Sequence, residues 1–581
     1  MTTHFDPRAA LVRQQEYESL RIGAAPKGRY ASESARVADL PIWEAGDVPD
    51  LTSKYRSPTG SWSLRPIQSS GLWHAEQTGG LIGPVGVGGG KGLLTMLLPH
   101  AMSAKRPLLL LPANLLETFH MEYRKFKPHF RLASHLKVLT YSALSVASGA
   151  DFLNRYQPDL IIGDEAHNLR HPESTRTKRL LRYARAFPET KHCYLSGTLT
   201  KRGLRDYAHL AELALGPNAP LPLDLGELLA WANCVDADGR PTDGDWGVFG
   251  PALLPAWRGY DPDERPVAAR SAYMQRFRAS CGVVASDESD LGVGLYFNEL
   301  PLVEPESIRE ARLDLRDTWC RPDGEELVDA LQVFRVESQM SSGFYYVWDW
   351  PNGIVDEEWM EKRASWHKAV RRLLKRNDPQ YDSPMRVALG IARGTLEDAD
   401  ATRAYEDWQG VKGRPRPPTK TMWLSDFLVR WAGEWALERL SRKEPGLIWY
   451  EHVALGAALA ELGLPVYGPG RDPQTAREPV ICVSIAAHGT GKNLQKFSRS
   501  LVLNWPASGT TVEQLVGRTH RPGQLADDVQ VDYPAHTPQA RNALRRSRID
   551  AQYIEATMDT KQKVNYGTWT PNTWQSSDGE E

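Results

Sequence analysis

The sequence predicts an α/β fold, two parallel-sheet lobes with a large, mainly helical insertion between them, and three observations predict it. Near-continuous apolar runs (Leu108–Leu111, Lys137–Leu139, Leu160–Ile162, Cys193–Leu195) alternate with polar, helical-looking segments, as strands covered on both faces of a parallel sheet do. A second series, Leu447–Tyr450, Val480–Val483, Leu501–Leu503 and Val529–Val531, repeats the pattern. Between them, Gly216 to Lys420 holds nine of the nineteen tryptophans and many charges but no such alternation, which reads as helices with a core of their own.

These features divide the chain into an N-terminal extension (1–60), a first lobe (61–215), the insertion and linker (216–420), a second lobe (421–540) and a C-terminal tail (541–581). A chain of 581 residues accommodates several such units, at roughly 100–200 residues each. The insertion ends in Gly413-Arg414-Pro415-Arg416-Pro417-Pro418, where repeated proline predicts an extended connector.

Hydrophobic residues at 41% and charged residues at 24% match a folded soluble protein and argue against disorder, fibres and membrane proteins. The formal net charge of -2 supplies no global field for a polyanion, so any such contact must be local. No run approaches the ~18 apolar residues of a membrane span. Met1 to Tyr17 lacks the apolar core of a secretory signal, so a cytoplasmic location is expected. The five cysteines form no CxxC pair and read as small core residues rather than a disulfide or zinc framework.

Chemistry concentrates in three places. In Val85-Gly86-Val87-Gly88-Gly89-Gly90-Lys91 the glycines can turn amide N–H groups onto phosphate oxygens, so that Gly88, Gly89, Gly90 and Lys91 would cradle a triphosphate. The apolar run Leu93–Leu98 would be the helix whose N-terminal dipole favours the anion. A phosphate loop of this kind places Ser or Thr after the lysine to hold magnesium, but here the position is Gly92; a plain flexible glycine turn is the alternative.

Next, the apolar strand ending in Asp164-Glu165-Ala166-His167 delivers two adjacent carboxylates where parallel sheets bind ligands. Asp164 would hold magnesium through water, Glu165 would orient and deprotonate the attacking water, and His167 would couple the lobes. A solvated acidic turn is the plainer reading of the pair alone. Last, Arg518 and Arg521, three residues apart, can reach one anion as arginine fingers, or can simply decorate a basic surface helix.

In this order the motifs resemble those of superfamily 2 helicases, most closely the Swi/Snf-type branch of DNA-dependent ATPases, in a compact phage or bacterial form with the DEAH-type box at Asp164. Leu64-Arg65-Pro66-Ile67-Gln68 looks like the branch's adenine motif, with Gln68 as reader. Leu111-Pro112-Ala113-Asn114-Leu115-Leu116 and Thr140-Tyr141 resemble its contacts to the DNA backbone, through Pro112 and Thr140. Ser196-Gly197-Thr198 looks like the motif coupling hydrolysis to movement, although Leu199 replaces the usual proline. Gly489-Thr490-Gly491-Lys492-Asn493-Leu494-Gln495 is similar to the glycine-rich motif of the second lobe, Thr490 and Asn493 on DNA and Gly489 on nucleotide, with Gln514 also at the ATP site. Arg521-Pro522-Gly523-Gln524 resembles the Swi/Snf ending rather than that of RNA helicases.

The resemblance implies two RecA-like lobes using ATP and Mg2+, with nucleotide in the cleft and DNA, duplex favoured and single-stranded possible, across the outer face. It covers about 240 residues; the alternatives are an ATP-gated DNA clamp or scaffold with little hydrolysis, which Gly92 would allow, and an RNA helicase. With Gly92 in place, Asp164 and water would hold the ion, or Thr95 would reach in from the next turn. A monomer is expected, with room for a protein partner on the insertion. There, Lys368, Arg371, Arg372, Lys375 and Arg376 fall on one helical face, either a phosphate track or a solvated face balanced by nearby carboxylates. Trp348, Trp350, Trp359 and Trp366 precede that stripe, as base-stacking rings or core.

Overall fold

In the computed structural model, which describes residues 30–43, 48–86, 89–285, 292–376, 378–381 and 384–570, two all-parallel sheets carry the molecule. Helix α1 (Pro66–Thr78) leads into β1 (Leu81–Gly83), followed by α2 (Lys91–Ala101), β2 (Pro107–Leu111), α3 (Leu116–Phe126), β3 (Lys137–Thr140), β4 (Leu160–Asp164) and β5 (Lys191–Leu195). The strand order is β1-β5-β4-β2-β3, every neighbour parallel. All five residues of β2 are buried. Leu108 and Leu110 face one core with Ile161, and Leu109 and Leu111 face the other with Ile162 and Cys193. Helices on both faces are therefore what makes these strands apolar without alternation.

The segment 216–420 is divided among three places. Helices α4 (Leu225–Val235), α5 (Asp243–Leu253) and α6 (Arg265–Arg278) extend the first lobe, where Trp231, Phe249, Tyr273 and Phe277 share the core of Leu108 and Ile161. Strand β6 (Gly294–Glu299) belongs to the second sheet. The remainder is a small body: an antiparallel ribbon of β7 (Phe344–Trp348) and β8 (Thr419–Trp423), with α7 (Glu357–Leu374) and α8 (Ala399–Val411) around Trp366, Val370, Leu373 and Ala401.

Here the three arginines of the basic stripe are paired. Arg372 and Arg376 reach Asp398 at 2.6 and 3.2 Å, and Arg371 donates to the Thr318 carbonyl at 2.8 Å while lying over Trp319. The tryptophans pack edge-on against one another, Trp359 meeting Trp348, Trp350 and Trp408 at 5.7, 5.9 and 5.4 Å. Core packing, not a display of rings, is their arrangement.

Apart from β6, the second sheet follows helix α9 (Phe427–Ser441). It holds β9 (Gly446–Tyr450), β10 (Val466–Tyr467), β11 (Val480–Ser484), β12 (Arg499–Val502), β13 (Asp528–Tyr533) and β14 (Thr568–Thr570), with α10 (Gly509–Val516) and α11 (Pro538–Met558) packed on it. The order is β10-β11-β9-β12-β13-β6-β14, again parallel throughout. Leu447 and Trp449 of β9 face one core and Ile448 and Tyr450 the other.

Residues 541–570, expected as a tail, are built into both lobes instead. Leu544 and Ala551 of α11 sit in the second core, Met558 reaches the first, and buried Asp550 accepts from Arg202 Nε at 2.6 Å. The N-terminal extension also docks: from the helix Glu33–Ala38, Arg36 donates to the carbonyls of Ala219 and Leu221 at 3.0 and 2.7 Å. Among the described residues no helix is long and apolar enough to cross a membrane.

Candidate active site

The loop after β1 meets α2 at Gly90, whose φ of 82° is left-handed and whose Cβ, if present, would lie 2.4 Å from Gln68 Nε2. Both facts require glycine there. Lys91 is the first helical residue, so its ammonium and the free amides of the first turn share one end of α2. Gly88 lies outside the described residues, and Gly89 N–H donates to the Gly86 carbonyl at 3.2 Å. Gln68 is 4% exposed and its amide is engaged: Oε1 accepts the Arg65 N–H at 2.9 Å, and Nε2 donates to the Gly90 carbonyl at 3.0 Å. Gln68 thus ties α1 to the glycine loop.

β4 ends on Asp164, and Glu165 follows with φ 51°, a left-handed conformation that a non-glycine residue adopts only when its surroundings hold it. This turn aims the Glu165 carboxylate at α2. Lys91 Nζ lies 3.2 Å from Oε1, while Oε2 has His167 Nδ1 at 3.3 Å and accepts from Ser196 Oγ at 3.4 Å. His167 and Ser196 are joined at 3.0 Å. His167 was expected to couple the lobes; its contacts to Glu165, Ser196 and Asn168 all lie in the first lobe, and it links the acidic turn to the strand end of β5.

The two carboxylates are shifted in opposite directions. Burial, and then the adjacent Glu165 charge, hold Asp164 well above the usual carboxylate range. Burial acts the same way on Glu165, but Lys91 and His167 overcome it and hold its carboxyl well below that range. A carboxylate kept ionised beside a cation can accept a proton, whereas Asp164 is a carboxylate short of a cation. Only its Oδ1 is hydrogen-bonded among the described residues, by the Glu165 N–H at 3.0 Å. Its other oxygen fits a divalent ion brought in with phosphates.

The second lobe closes over this edge. Asn114 Nδ2 donates to Thr490 Oγ1, and Thr118 Oγ1 donates to the Gly491 carbonyl at 2.9 Å. Arg518, 6% exposed, is braced by the carbonyls of Gln514 at 2.7 Å and Lys492 at 3.2 Å. Burial, with Arg521 beside it, pushes Arg518 down to about 10, and Glu165 across the cleft opposes the shift, so the guanidinium stays charged at neutral pH. Gln514 is buried on α10 and engages Arg518 through its backbone.

The other expected residues spread along the same edge. Pro112 caps the turn after β2, and Thr140 caps the one after β3, accepting the Ala143 N–H at 3.1 Å. Ser196, Gly197 and Thr198 are buried, the Ser196 N–H bonded to the Gly83 carbonyl at 3.0 Å and the Thr198 hydroxyl without a partner among the described residues. Gly489 ends the short helix after β11, and the exposed Asn493 donates its N–H to Gln474 Oε1 at 2.7 Å.

Thr95 is not available to the site: it is 1% exposed and its hydroxyl donates to the Gly92 carbonyl at 2.8 Å. A residue outside every motif is present instead. Glu122 of α3 lies against Gly92, within electrostatic reach of Asp164 and Arg521; burial raises its carboxyl, which Arg521 and Lys125 partly offset.

No family model matches this chain, and no curated protein matches it. Among solved structures, the Sulfolobus solfataricus SWI2/SNF2 ATPase core in complex with dsDNA matches at 14% identity and a TM-score of 0.29, covering 82% of this chain and 88% of that one.

Proposed function

We propose that this protein is an ATP-hydrolysing motor that moves along or remodels DNA, with nucleotide between the two lobes. One observation carries the reading: Lys91, Glu165, His167 and Ser196 meet at the C-terminal edge of one parallel sheet, with Arg518 of the other lobe within electrostatic reach of Glu165. That is where open α/β sheets bind ligands. Phosphates seated on the N-terminus of α2 would take Lys91 as their cation. Release of Lys91 toward the phosphates leaves the ionised Glu165 to orient a water and accept its proton, with His167 and Ser196 fixing the carboxylate. Arg518 and Arg521 approach from the second lobe, where they can neutralise charge on the transferring phosphoryl group. Asp164 would hold the Mg2+ that arrives with ATP, which screens the phosphate oxygens.

Coupling to movement follows from position. Ser196 joins Glu165 to the strand end beside β1, and Pro112, Thr140, Thr490 and Asn493 lie on the loops beyond the other strands of the two sheets. These four are proposed DNA-backbone contacts, a mode that positions the protein and reads little sequence. A second reading, an ATP-gated DNA clamp that hydrolyses slowly, is favoured by one observation: Gly92 offers no hydroxyl, and Thr95 is engaged elsewhere.

The test is ATP turnover by the full chain with no nucleic acid, single-stranded DNA, duplex DNA or RNA. Stimulation greatest with duplex DNA is expected. Bound ATP without turnover under any condition would favour the clamp, and stimulation by RNA alone would overturn the DNA assignment.

A further inference from the structure

Directly after Lys91 the chain offers no side chain, yet the space is filled. A Cβ at Gly92 would lie 2.3 Å from Oε2 of Glu122, so the Glu122 carboxylate stands where a serine or threonine at that position would place its own atoms. The carboxylate comes from α3, the helix packed beside α2, and makes no hydrogen bond or ion pair among the described residues. It is nevertheless within electrostatic reach of Arg521 from the other lobe, of Lys125 on its own helix and of Asp164. Lys91, the proposed phosphate ligand, begins α2 directly before Gly92.

We infer that Glu122 replaces the missing hydroxyl and, with Asp164, holds the divalent cation that accompanies the nucleotide; this rests on the nucleotide site proposed above. Magnesium takes hard oxygen ligands, commonly one or two carboxylates completed by phosphate oxygens and water. Among the described residues no three His, Cys, Asp or Glu side chains are set to hold a metal by themselves, which suits an ion whose remaining ligands come from the nucleotide. Gly92 then has a positive role. Any side chain there would press on the Glu122 carboxylate, so the pair Gly92 and Glu122 is one device, interchangeable with a hydroxyl at position 92.

The test uses Mn2+ as the probe, its binding to the full-length protein with ADP followed by electron paramagnetic resonance, and binding of a fluorescent ADP in EDTA as the metal-free control. Glu122→Gln is expected to weaken Mn2+ in the ADP complex by about tenfold or more without weakening ADP binding in EDTA. Adding Gly92→Ser to Glu122→Gln is expected to restore Mn2+ affinity, because the new hydroxyl enters space that the carboxamide yields. Unchanged Mn2+ affinity in Glu122→Gln would overturn the inference, as would a double variant that recovers nothing, which would assign the loss to packing of α3 on α2. Failure of the unmodified protein to bind ADP in either condition would refute the nucleotide site itself rather than the role of Glu122.

Discussion

Lys91→Ala is expected to lower ATP turnover by about 10²–10³-fold, the scale seen when one preorganised electrostatic partner of a transition state is removed. Two losses combine. The phosphates lose the ammonium that leads α2, and Glu165 loses the cation 3.2 Å from Oε1 that opposes its burial. Without Lys91 the Glu165 carboxyl rises from its lowered position toward the usual carboxylate range, a change separate from the loss at the phosphates. Phosphate release, together with titration of a fluorescent nucleotide, reads both effects. Turnover that survives the substitution would remove Lys91 from the site.

Arg521→Ala is expected to cost about 10³-fold in turnover, the lower end of what an arginine finger supplies, while nucleotide affinity falls much less. Lys91, the proposed ATP-binding cation, lies on the first lobe, and Arg521 is proposed to act from the second. Arg518→Ala should differ in kind. Arg518 is buried and braces the carbonyls of Gln514 and Lys492, so its loss should also lower the unfolding temperature. A turnover loss in Arg521→Ala matched by an equal loss of ATP affinity would place Arg521 on ground-state binding instead.

The strands that carry the site were legible because their burial is two-sided. β2, β4, β9 and β11 feed alternate residues to cores on opposite faces, which forces unbroken apolar runs. Strands lacking that signature were missed. β1 and β14 are three residues each and β10 two, too short for any period, and β6 is only half buried inside a charged segment. The pairing of β6 with β13 depends on a contact more than 200 residues away in sequence, which no local pattern encodes.

The site divides in the same way. Lys91, Asp164 and Glu165 announce themselves by chemistry at strand and helix ends. In the sequence Glu122 sits among Glu117, Arg124, Lys125 and Lys127 and reads as one more solvated charge. Its role depends on how α3 packs beside α2, and the only clue in the chain was the missing side chain at Gly92. Gln68 and His167 show the converse: their positions were readable, but their partners are backbone and first-lobe groups that spacing cannot name.

Glu165 is proposed to accept the proton of the attacking water in an ATP hydrolysis that DNA accelerates. Glu165→Gln removes the proton acceptor while keeping the shape, and its turnover with saturating duplex DNA should fall by about 10²–10⁴-fold relative to the unchanged chain, with ATP still bound. Equal DNA-stimulated turnover in the two proteins would remove Glu165 as the base.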